Sequence, residues 1–503
     1  MLRVAIRADA SVLLGTGHLR RCLSLARALA ACGAEPVFLS RALDDVAGAV
    51  MGDQPFTVHW LQGGGGGGGG GADAAQCARA LSDTPPAWTV VDHYGLDQRW
   101  HDEVREQLGC RIAVIDDLAD RPLAPDLLID HNDPQAAQKY AGRLARQCKI
   151  LAGPEFALLD PVYASAERYG FNLQVRSIGI FMGGTDPRGH CLIALRACRE
   201  GLGFGGPIEI VCSRSSLSYQ ALAEECAKWP GTRLVDGLAA LAEFFARHDL
   251  QIGAGGGATW ERCCIGVPSI ACLTAPNQLA TLPRLAQLGA LVWAREEGGL
   301  QASIAAGAED LLRDPQGRRR LGETASRLVD GKGALRVAAV LACAAGAEFT
   351  PREAAAGDEN LLLEWANDPV VRANAFNPDP VLAQGHAEWF KARLADPVRC
   401  RIFILEAPNG IPAGQVRFEH RQEAWEIGYS VAPAFRAIGL GVGLLRAALS
   451  AFAGRAGECA LVGRVKLDND TSAKVFRRLG FAESTAQDER GPHRVFSLAR
   501  AQR

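Results

Sequence analysis

The stretch Leu13-Leu14-Gly15-Thr16-Gly17-His18-Leu19-Arg20-Arg21 decides how the first two thirds of the chain are read. A short apolar segment, Val4-Ala5-Ile6, precedes it. After it, Leu19, Cys22, Leu23, Ala26 and Ala30 recur at three- and four-residue steps. That pattern predicts a strand, a glycine turn and an amphipathic helix running to about Cys32. Gly15 and Gly17 let a ligand come close to the main chain. A helix opening near His18 points free N–H groups and a partial positive charge at that ligand, which suits a phosphate. His18 is the one side chain of the loop that exchanges a proton near neutral pH. It is either a group for chemistry beside a diphosphate or a helix-start residue bonded locally.

Working outward, strand and helix patterns alternate through residues 1–165. Strand candidates are Val4–Ile6, Pro36–Leu39, Thr89–Asp92, Ile112–Asp116 and Leu127–Ile129. Such alternation implies a parallel, doubly wound sheet with ligands beyond the carboxyl ends of its strands. A second α/β block covers 172–345, with candidates Ser177–Met182, Ile208–Cys212, Leu250–Gly253 and Ser269–Leu273 and a helix-rich close from about Ser303 to Ala345. Two Rossmann-like blocks sharing a ligand cleft make a GT-B-type arrangement. From Phe349 to the end of the chain the pattern changes. Antiparallel candidates Ile402–Glu406, Gly414–Glu419 and Ala424–Val431, a helix after Gly443 and a strand near Val495–Leu498 predict a compact α+β domain over 349–503.

A chain of 503 residues is long enough for about three domains of roughly 150 residues. With 48% apolar and 22% charged residues it has an ordinary globular composition, and a formal net charge of −2 gives no basic surface for nucleic acid. The 15 cysteines form no paired zinc-type spacing, and Cys263-Cys264 read as buried thiols, so no metal is expected. No secretory signal and no membrane-length apolar run is visible, and a reducing cytoplasm is expected. Gly63 to Gly71 is an unbroken glycine run, read as a surface loop because it lacks the strand-loop-helix context of a phosphate cradle.

A dinucleotide fingerprint needs a further glycine and an acid roughly 20 residues on. Here the second strand ends Phe38-Leu39-Ser40-Arg41 without one, so a nicotinamide cofactor is not expected, and no Gly-Lys-Ser/Thr makes a P-loop. Three other strand ends carry polar groups: Asp92-His93-Tyr94-Gly95, Met182-Gly183-Gly184-Thr185-Asp186, and Gly253 to Glu261. Glu261 falls in the first turn of a helix, where a carboxylate accepts two ribose hydroxyls or simply complements the helix dipole.

Together, Gly15-x-Gly17-His18-x-x-Arg21, Asp92-His93-Tyr94-Gly95, Met182-Gly183-Gly184-Thr185-Asp186, Gly255-Gly256 through Glu261, and Asn277-Gln278 resemble the UDP-2,4-diacetamido-2,4,6-trideoxy-β-L-altropyranose hydrolases of pseudaminic acid biosynthesis. Those enzymes are relatives of GT-B glycosyltransferases of the MurG type. The resemblance covers about residues 1–345. It implies that UDP leaves after water attacks the sugar anomeric carbon, with His18 as general base. It further implies that Tyr94 and Asn277 line the sugar site and that Glu261 holds the ribose. Gly15, Gly17, Arg21, Asp92, Gly183, Gly184, Thr185, Gly256, Ala258, Thr259 and Gln278 complete the expected substrate-binding set. Ala258 stands where relatives often have Ser or Thr, leaving only its amide for phosphate.

In the C-terminal block, Arg436-x-x-Gly439-x-Gly441 within Val431–Gly443 resembles the acetyl-CoA loop of GNAT acetyltransferases, and Asn469-x-x-Ser472-x-x-x-Phe476-x-x-Leu479-Gly480-Phe481 resembles their second CoA-side motif. Glu364-Trp365-Ala366-Asn367-Asp368 with Val371-Arg372 resembles the opening of the sugar N-acetyltransferase of the same pathway. The resemblance implies acetyl-CoA as cosubstrate, held by Val431, Arg436, Gly439, Gly441, Gly443 and Asn469. Glu426 is the candidate base for the amine, or else a surface-facing strand carboxylate. Many relatives carry Tyr at the position of Phe476 as acid for the departing thiolate; Phe has no proton to give.

The expected function is therefore hydrolysis of a UDP-diacetamido sugar, coupled to 4-N-acetylation of the preceding UDP-amino sugar. The partners expected are a UDP-sugar and acetyl-CoA, with no nucleic acid and no membrane. A GT-B UDP-sugar glycosyltransferase uses the same cleft with an acceptor, and a nucleotide-sugar-binding module uses it without turnover.

Overall fold

A computed structural model describes residues 2–12, 14–62, 70–184, 186–238, 241–421, 423–453, 459–489 and 491–499. The chain divides into two compact units, 1–338 and 339–503. Among the described residues, no helix is long and apolar enough to cross a membrane.

The first unit holds two parallel sheets. In the first, β1 (Leu2–Ala8), β2 (Ala34–Arg41), β3 (Thr57–Leu61), β4 (Trp88–Asp92), β5 (Arg111–Ile115), β6 (Leu127–Asp130) and β7 (Lys149–Ala152) lie in the order β3-β2-β1-β4-β5-β6-β7. In the second, β8 (Ile178–Phe181), β9 (Ile208–Val211), β10 (Thr232–Val235), β11 (Leu250–Ala254), β12 (Ser269–Cys272) and β13 (Val292–Ala294) lie in the order β10-β9-β8-β11-β12-β13. Each order reverses direction beside its first strand, between β1 and β4 and between β8 and β11. Such a reversal opens a crevice at the carboxyl ends. The central strands are covered on both faces, so Val4, Ala5, Ile6, Val90, Ile178, Ile180 and Ile252 are fully buried. Two Rossmann-like blocks within one compact unit are the GT-B-type arrangement expected. Leu300–Arg313 and Pro315–Leu328 are helices of this unit, and helix Gly333–Ala344 runs through the unit boundary at 338/339.

The second unit is a sheet of β14 (Thr350–Glu353), β15 (Cys400–Glu406), β16 (Pro412–Arg421), β17 (Ala424–Val431), β18 (Ala460–Lys466), β19 (Ala482–Asp488) and β20 (Gly491–Ala499), ordered β14-β15-β16-β17-β18-β20-β19. It is antiparallel except for β17 and β18, which pair in parallel only from Ala424–Ala460 to Ile427–Gly463. Beyond that pair β17 stays bonded to β16 as far as Val431, and β18 stays bonded to β20 as far as Lys466. The two strands therefore part from Gly428 onward and leave a split in the sheet.

Strands absent from the sequence reading sit mostly at edges: β3, β7, β10, β13, β14 and β19. An edge strand has a neighbour on one side only, and β19 shows an almost wholly exposed pattern instead of an apolar one. β18 is the central exception. Gly463 interrupts it because the Phe476 ring lies on it; a Cβ there would meet that ring at 2.4 Å. Of the glycine run, Gly63–Gly69 lie outside the described residues, while Gly70 and Gly71 open the helix Gly70–Leu81.

Candidate functional site

The Gly15 loop turns back on itself, with the Gly15 N–H donating to the Ser11 carbonyl at 2.8 Å and Gly15 at φ +76°, a conformation that disfavours a side chain. Helix Gly17–Ala31 follows. Its first two turns face the end of β4, where Asp92 is buried with no side-chain exposure. His18 Nδ1 lies 2.6 Å from Asp92 Oδ1; Arg21 donates from Nε to Oδ2 and from Nη2 to Oδ1, both at 2.6 Å. Burial alone would push the Asp92 carboxyl up, but Arg21 and His18 outweigh it and hold it well below the usual carboxylate range. An ionised carboxylate only accepts, so it is Nδ1 of His18 that carries a proton toward Asp92, and in the neutral ring Nε2 is then the acceptor. The His18 ring meets the Tyr94 ring edge-on at 4.7 Å.

Tyr94 leads to a residue the sequence reading missed. Its phenol donates to Asp117 Oδ1 at 2.6 Å, and burial followed by the Asp117 charge pushes that phenol well above its usual value, keeping it protonated. Asp117 Oδ2 accepts from Asn132 Nδ2 at 2.8 Å and from Asn277 Nδ2 at 3.3 Å; the same amide lies 3.2 Å from the Tyr94 oxygen. Asn277 belongs to the turn Pro276–Leu279 of the second block, so this network ties the blocks together. Trp260 Nε1 donating to Asn132 Oδ1 at 2.9 Å and Arg284 donating to Asp133 at 2.7 Å continue the seam. Asp117 lies two residues past β5. Its place just beyond a parallel strand is the signal that could have drawn attention to it.

The second-block loops reach the same cleft with different roles. A Cβ on Gly184 would meet Thr16 Oγ1 at 2.7 Å, so this glycine admits the first-block loop. Gly183 beside it has φ +98°; Thr185 lies outside the described residues. Asp186 accepts from the His190 and Cys191 amides at 2.8 and 2.9 Å, at the start of helix His190–Arg196. With Cys191 and Cys212 it forms the group of possible metal ligands found among the described residues, but both of its oxygens are already engaged by those amides.

After β11, Gly256 and Gly257 lead into helix Ala258–Ile265. Thr259 turns inward: its hydroxyl donates to the Ala254 carbonyl at 3.0 Å and its amide to the Gly256 carbonyl at 2.9 Å. Among the described residues, no acceptor takes the amides of Gly256, Gly257 and Ala258. Gln278 folds onto Thr274, accepting its amide at 2.8 Å and donating to its hydroxyl at 2.9 Å. Glu261 looks toward Arg20 and Tyr163. Burial pushes its carboxyl up to about 7, against the opposing pull of Arg262 and Arg20.

In the second unit, the turn Pro433–Phe435 carries the chain from β17 to helix Gly441–Ala453. Arg436 does not extend outward: Nε donates to the Val431 carbonyl and Nη1 to Asp368 Oδ1, both at 2.7 Å. Asp368 also caps helix Pro369–Asn374. The loop is thereby pinned to the segment that carries Asp368, with Ala437 and Gly439 at φ +63° and +82°. Gly441 packs under Val475, at 3.2 Å for an added Cβ, and Gly443 lies over Phe349. Asn469 caps helix Asp470–Arg478 through the Ser472 amide at 3.1 Å. Glu426 faces Glu419 across the strand pair and lies 3.6 Å from Arg421 and 3.8 Å from Arg464, in the last bonded part of β17 before the split. Phe476 is buried between Phe496, Phe481 and Tyr429.

Two parallel α/β blocks that meet over a carboxylate-held histidine, joined to a split-sheet unit with a pinned glycine loop, describe a GT-B-like body with an acetyltransferase-type domain. Residues 350–482 match the acetyltransferase (GNAT) domain family. Over 200 residues, 38% of the chain, it is 27% identical to the spore coat polysaccharide biosynthesis protein SpsG of Bacillus subtilis. Over 191 residues, 37% of the chain, it is 24% identical to the UDP-2,4-diacetamido-2,4,6-trideoxy-beta-L-altropyranose hydrolase of Campylobacter jejuni. The matched stretches span 58% and 61% of those two curated relatives. MurG of Acinetobacter baumannii aligns with 68% of this chain and 99% of its own at 14% identity and a TM-score of 0.49.

Proposed function

We propose that residues 1–338 hydrolyse UDP-2,4-diacetamido-2,4,6-trideoxy-β-L-altropyranose to UDP and the free sugar. In the same proposal the C-terminal unit uses acetyl-CoA to acetylate the 4-amino group of the preceding UDP-amino sugar. The observation that carries the first half is the 2.6 Å contact of His18 Nδ1 with Asp92, which leaves Nε2 to take a proton from water. Water attacks the anomeric carbon, the bond from that carbon to the UDP oxygen breaks with its electron pair going to UDP, and the water proton passes to Nε2. Asp92 stabilises the imidazolium so formed. Charge growing on UDP is met by free amides at the starts of helices Gly17–Ala31 and Ala258–Ile265, oriented before the reaction begins. Tyr94 as a neutral phenol and Asn277 face the sugar, and Glu261 takes the ribose hydroxyls.

Support for the second half comes from the family match over residues 350–482 and from the split beside a loop of amides. A split strand pair offers unpaired main-chain groups to an extended ligand such as the amide-bearing arm of CoA. Amine attack on the thioester then depends mainly on proximity.

The test incubates the full chain with the UDP-sugar alone and, separately, with acetyl-CoA and the UDP-4-amino sugar, following UDP, free sugar and CoA by NMR and mass spectrometry. UDP and free sugar in equal amounts, with no acceptor present, is the expected result. A requirement for an acceptor would assign the cleft to a glycosyltransferase, and tight binding without product would assign it to a binding module.

A further inference from the structure

The second unit has a phenol near the closed end of its split that no step above uses. Tyr429 lies two residues past Ile427, the last β17 residue paired with β18. Its hydroxyl reaches across the opening to Ser472 Oγ at 2.8 Å, in the first turn of the helix that follows β18. The two sides of the split are therefore bridged by a pair of hydroxyls. The Tyr429 ring meets the Phe476 ring edge-on at 5.9 Å, and Phe476, fixed on Gly463, brings no polar atom to this place.

We propose that Tyr429 gives the proton to the sulfur of CoA as it leaves, with Ser472 holding the phenol in position; this rests on the acetyltransferase reading of the second unit. A CoA diphosphate on the loop after Val431 leaves its arm to run back along the unpaired edge of β17. From Val431 to Ile427 is about 13 Å at strand spacing, which brings the thioester end to the closed end of the split, beside Tyr429. The amine nitrogen forms a bond to the thioester carbon, and the carbon–sulfur bond breaks with its electron pair going to sulfur. The phenol proton passes to that sulfur, and the proton lost by the amine replaces it through Ser472 or water. Charge and protons balance, and no further reactant is needed. Burial pushes the Tyr429 phenol above its usual value, an effect the Ser472 bond only partly offsets, so the proton is in place at neutral pH.

The experiment compares the full chain with its Tyr429→Phe variant, which keeps the ring and removes only the hydroxyl. CoA affinity is measured by calorimetry, and acetyl transfer to the UDP-4-amino sugar is followed across pH. Expected is a kcat lower by roughly 10²-fold with CoA affinity within twofold, together with loss of the alkaline fall in kcat that ionisation of the phenol produces in the unaltered chain. Ser472→Ala is expected to lower kcat less, by roughly 5-fold, with the alkaline limb kept but displaced. A Tyr429→Phe variant with unchanged kcat and pH profile would overturn the assignment, as would one that simply stops binding CoA. If the unaltered chain neither binds CoA nor transfers acetyl, the acetyltransferase reading falls and this inference with it, a result distinct from failure of Tyr429 alone.

Discussion

Two of the molecule's glycine-rich strand-loop-helix turns are built on opposite plans. At Gly15–Arg21 two side chains converge on one buried acid: His18 and Arg21 both meet Asp92, and Tyr94 closes over the imidazole. At Val431–Gly443 the one charged side chain, Arg436, turns back onto Val431 and Asp368 and leaves the loop with main chain to offer. A loop that orients a proton-transfer group needs a desolvated side-chain network behind it. Under the proposed function the second loop cradles an anion, which needs only amides held in place, and its arginine serves as a strut. Glycine spacing looks alike in both cases; what lies under the loop separates them.

The sharpest way to break this contrast is at His18. Under the proposed function, His18→Ala lowers UDP release about 10²–10⁴-fold while UDP affinity, measured by calorimetry, stays within a few-fold. Unchanged turnover would reduce the first loop to the same amide cradle as the second.

Asp92→Asn probes the network itself. It removes the charge that fixes the His18 tautomer and pairs with Arg21, so turnover is expected to fall about 10²-fold and the first unit to lose about 3 kcal/mol of stability. The folded Asp92 carboxyl is held low, so its contribution is present above the ordinary carboxylate range near 4 and disappears as pH falls further. Thermal melts at pH 7 and pH 3 should differ for the unaltered chain by more than for the variant.

Glu261 gives a gentler, pH-dependent reading. Its folded value of about 7 lies above the ordinary 4.5, so its stabilising effect is complete below about 4.5 and is lost as pH rises through about 7. Glu261→Gln should therefore raise stability by about 2 kcal/mol at pH 8 and by almost nothing at pH 4. If the ionised carboxylate holds the ribose, UDP affinity of the unaltered chain tightens up to roughly 10-fold from pH 6 to 8, and the variant lacks that step. A pH-independent difference between the two would leave Glu261 as a helix-dipole residue only.

The smallest effect belongs to the second loop. Arg436→Ala removes two hydrogen bonds that pin the loop and should raise KM for acetyl-CoA by roughly 5-fold, about 1 kcal/mol, with kcat nearly unchanged. A large loss of kcat would mean that Arg436 acts on the reacting groups, and the contrast between the loops would fail.

Much of the architecture is legible in the residues. Central strands such as Val4–Ile6 and Ile208–Cys212 announce themselves because both faces are buried, and the helix after His18 does so by its apolar stripe. Edge strands do not, since each is paired on one side only and few of its residues are buried. β18 escapes because Gly463 was shaped by Phe476, a residue beyond the reach of any local pattern. The candidate site divides in the same way. His18, Asp92, Tyr94 and Asn277 can each be picked out from strand ends and motifs, but their convergence cannot. Thr259 and Gln278 stand in the expected places yet spend their side chains on Ala254 and Thr274.

The sequence by itself determined the local events: where parallel strands alternate with helices, where glycines precede a helix N-terminus, and that the C-terminal part follows a different, antiparallel pattern. These depend on neighbours within a few turns of chain, where periodicity and backbone freedom leave their mark. Only the tertiary structure decided that Asp117 joins Tyr94 to Asn277 across the cleft, that Gly184 is a glycine for Thr16, and that Tyr429 stands at the split where Phe476 brings no proton. Each of these depends on segments far apart in sequence coming within a few ångströms. Burial then sets what their polar groups do, and no spacing along the chain records it.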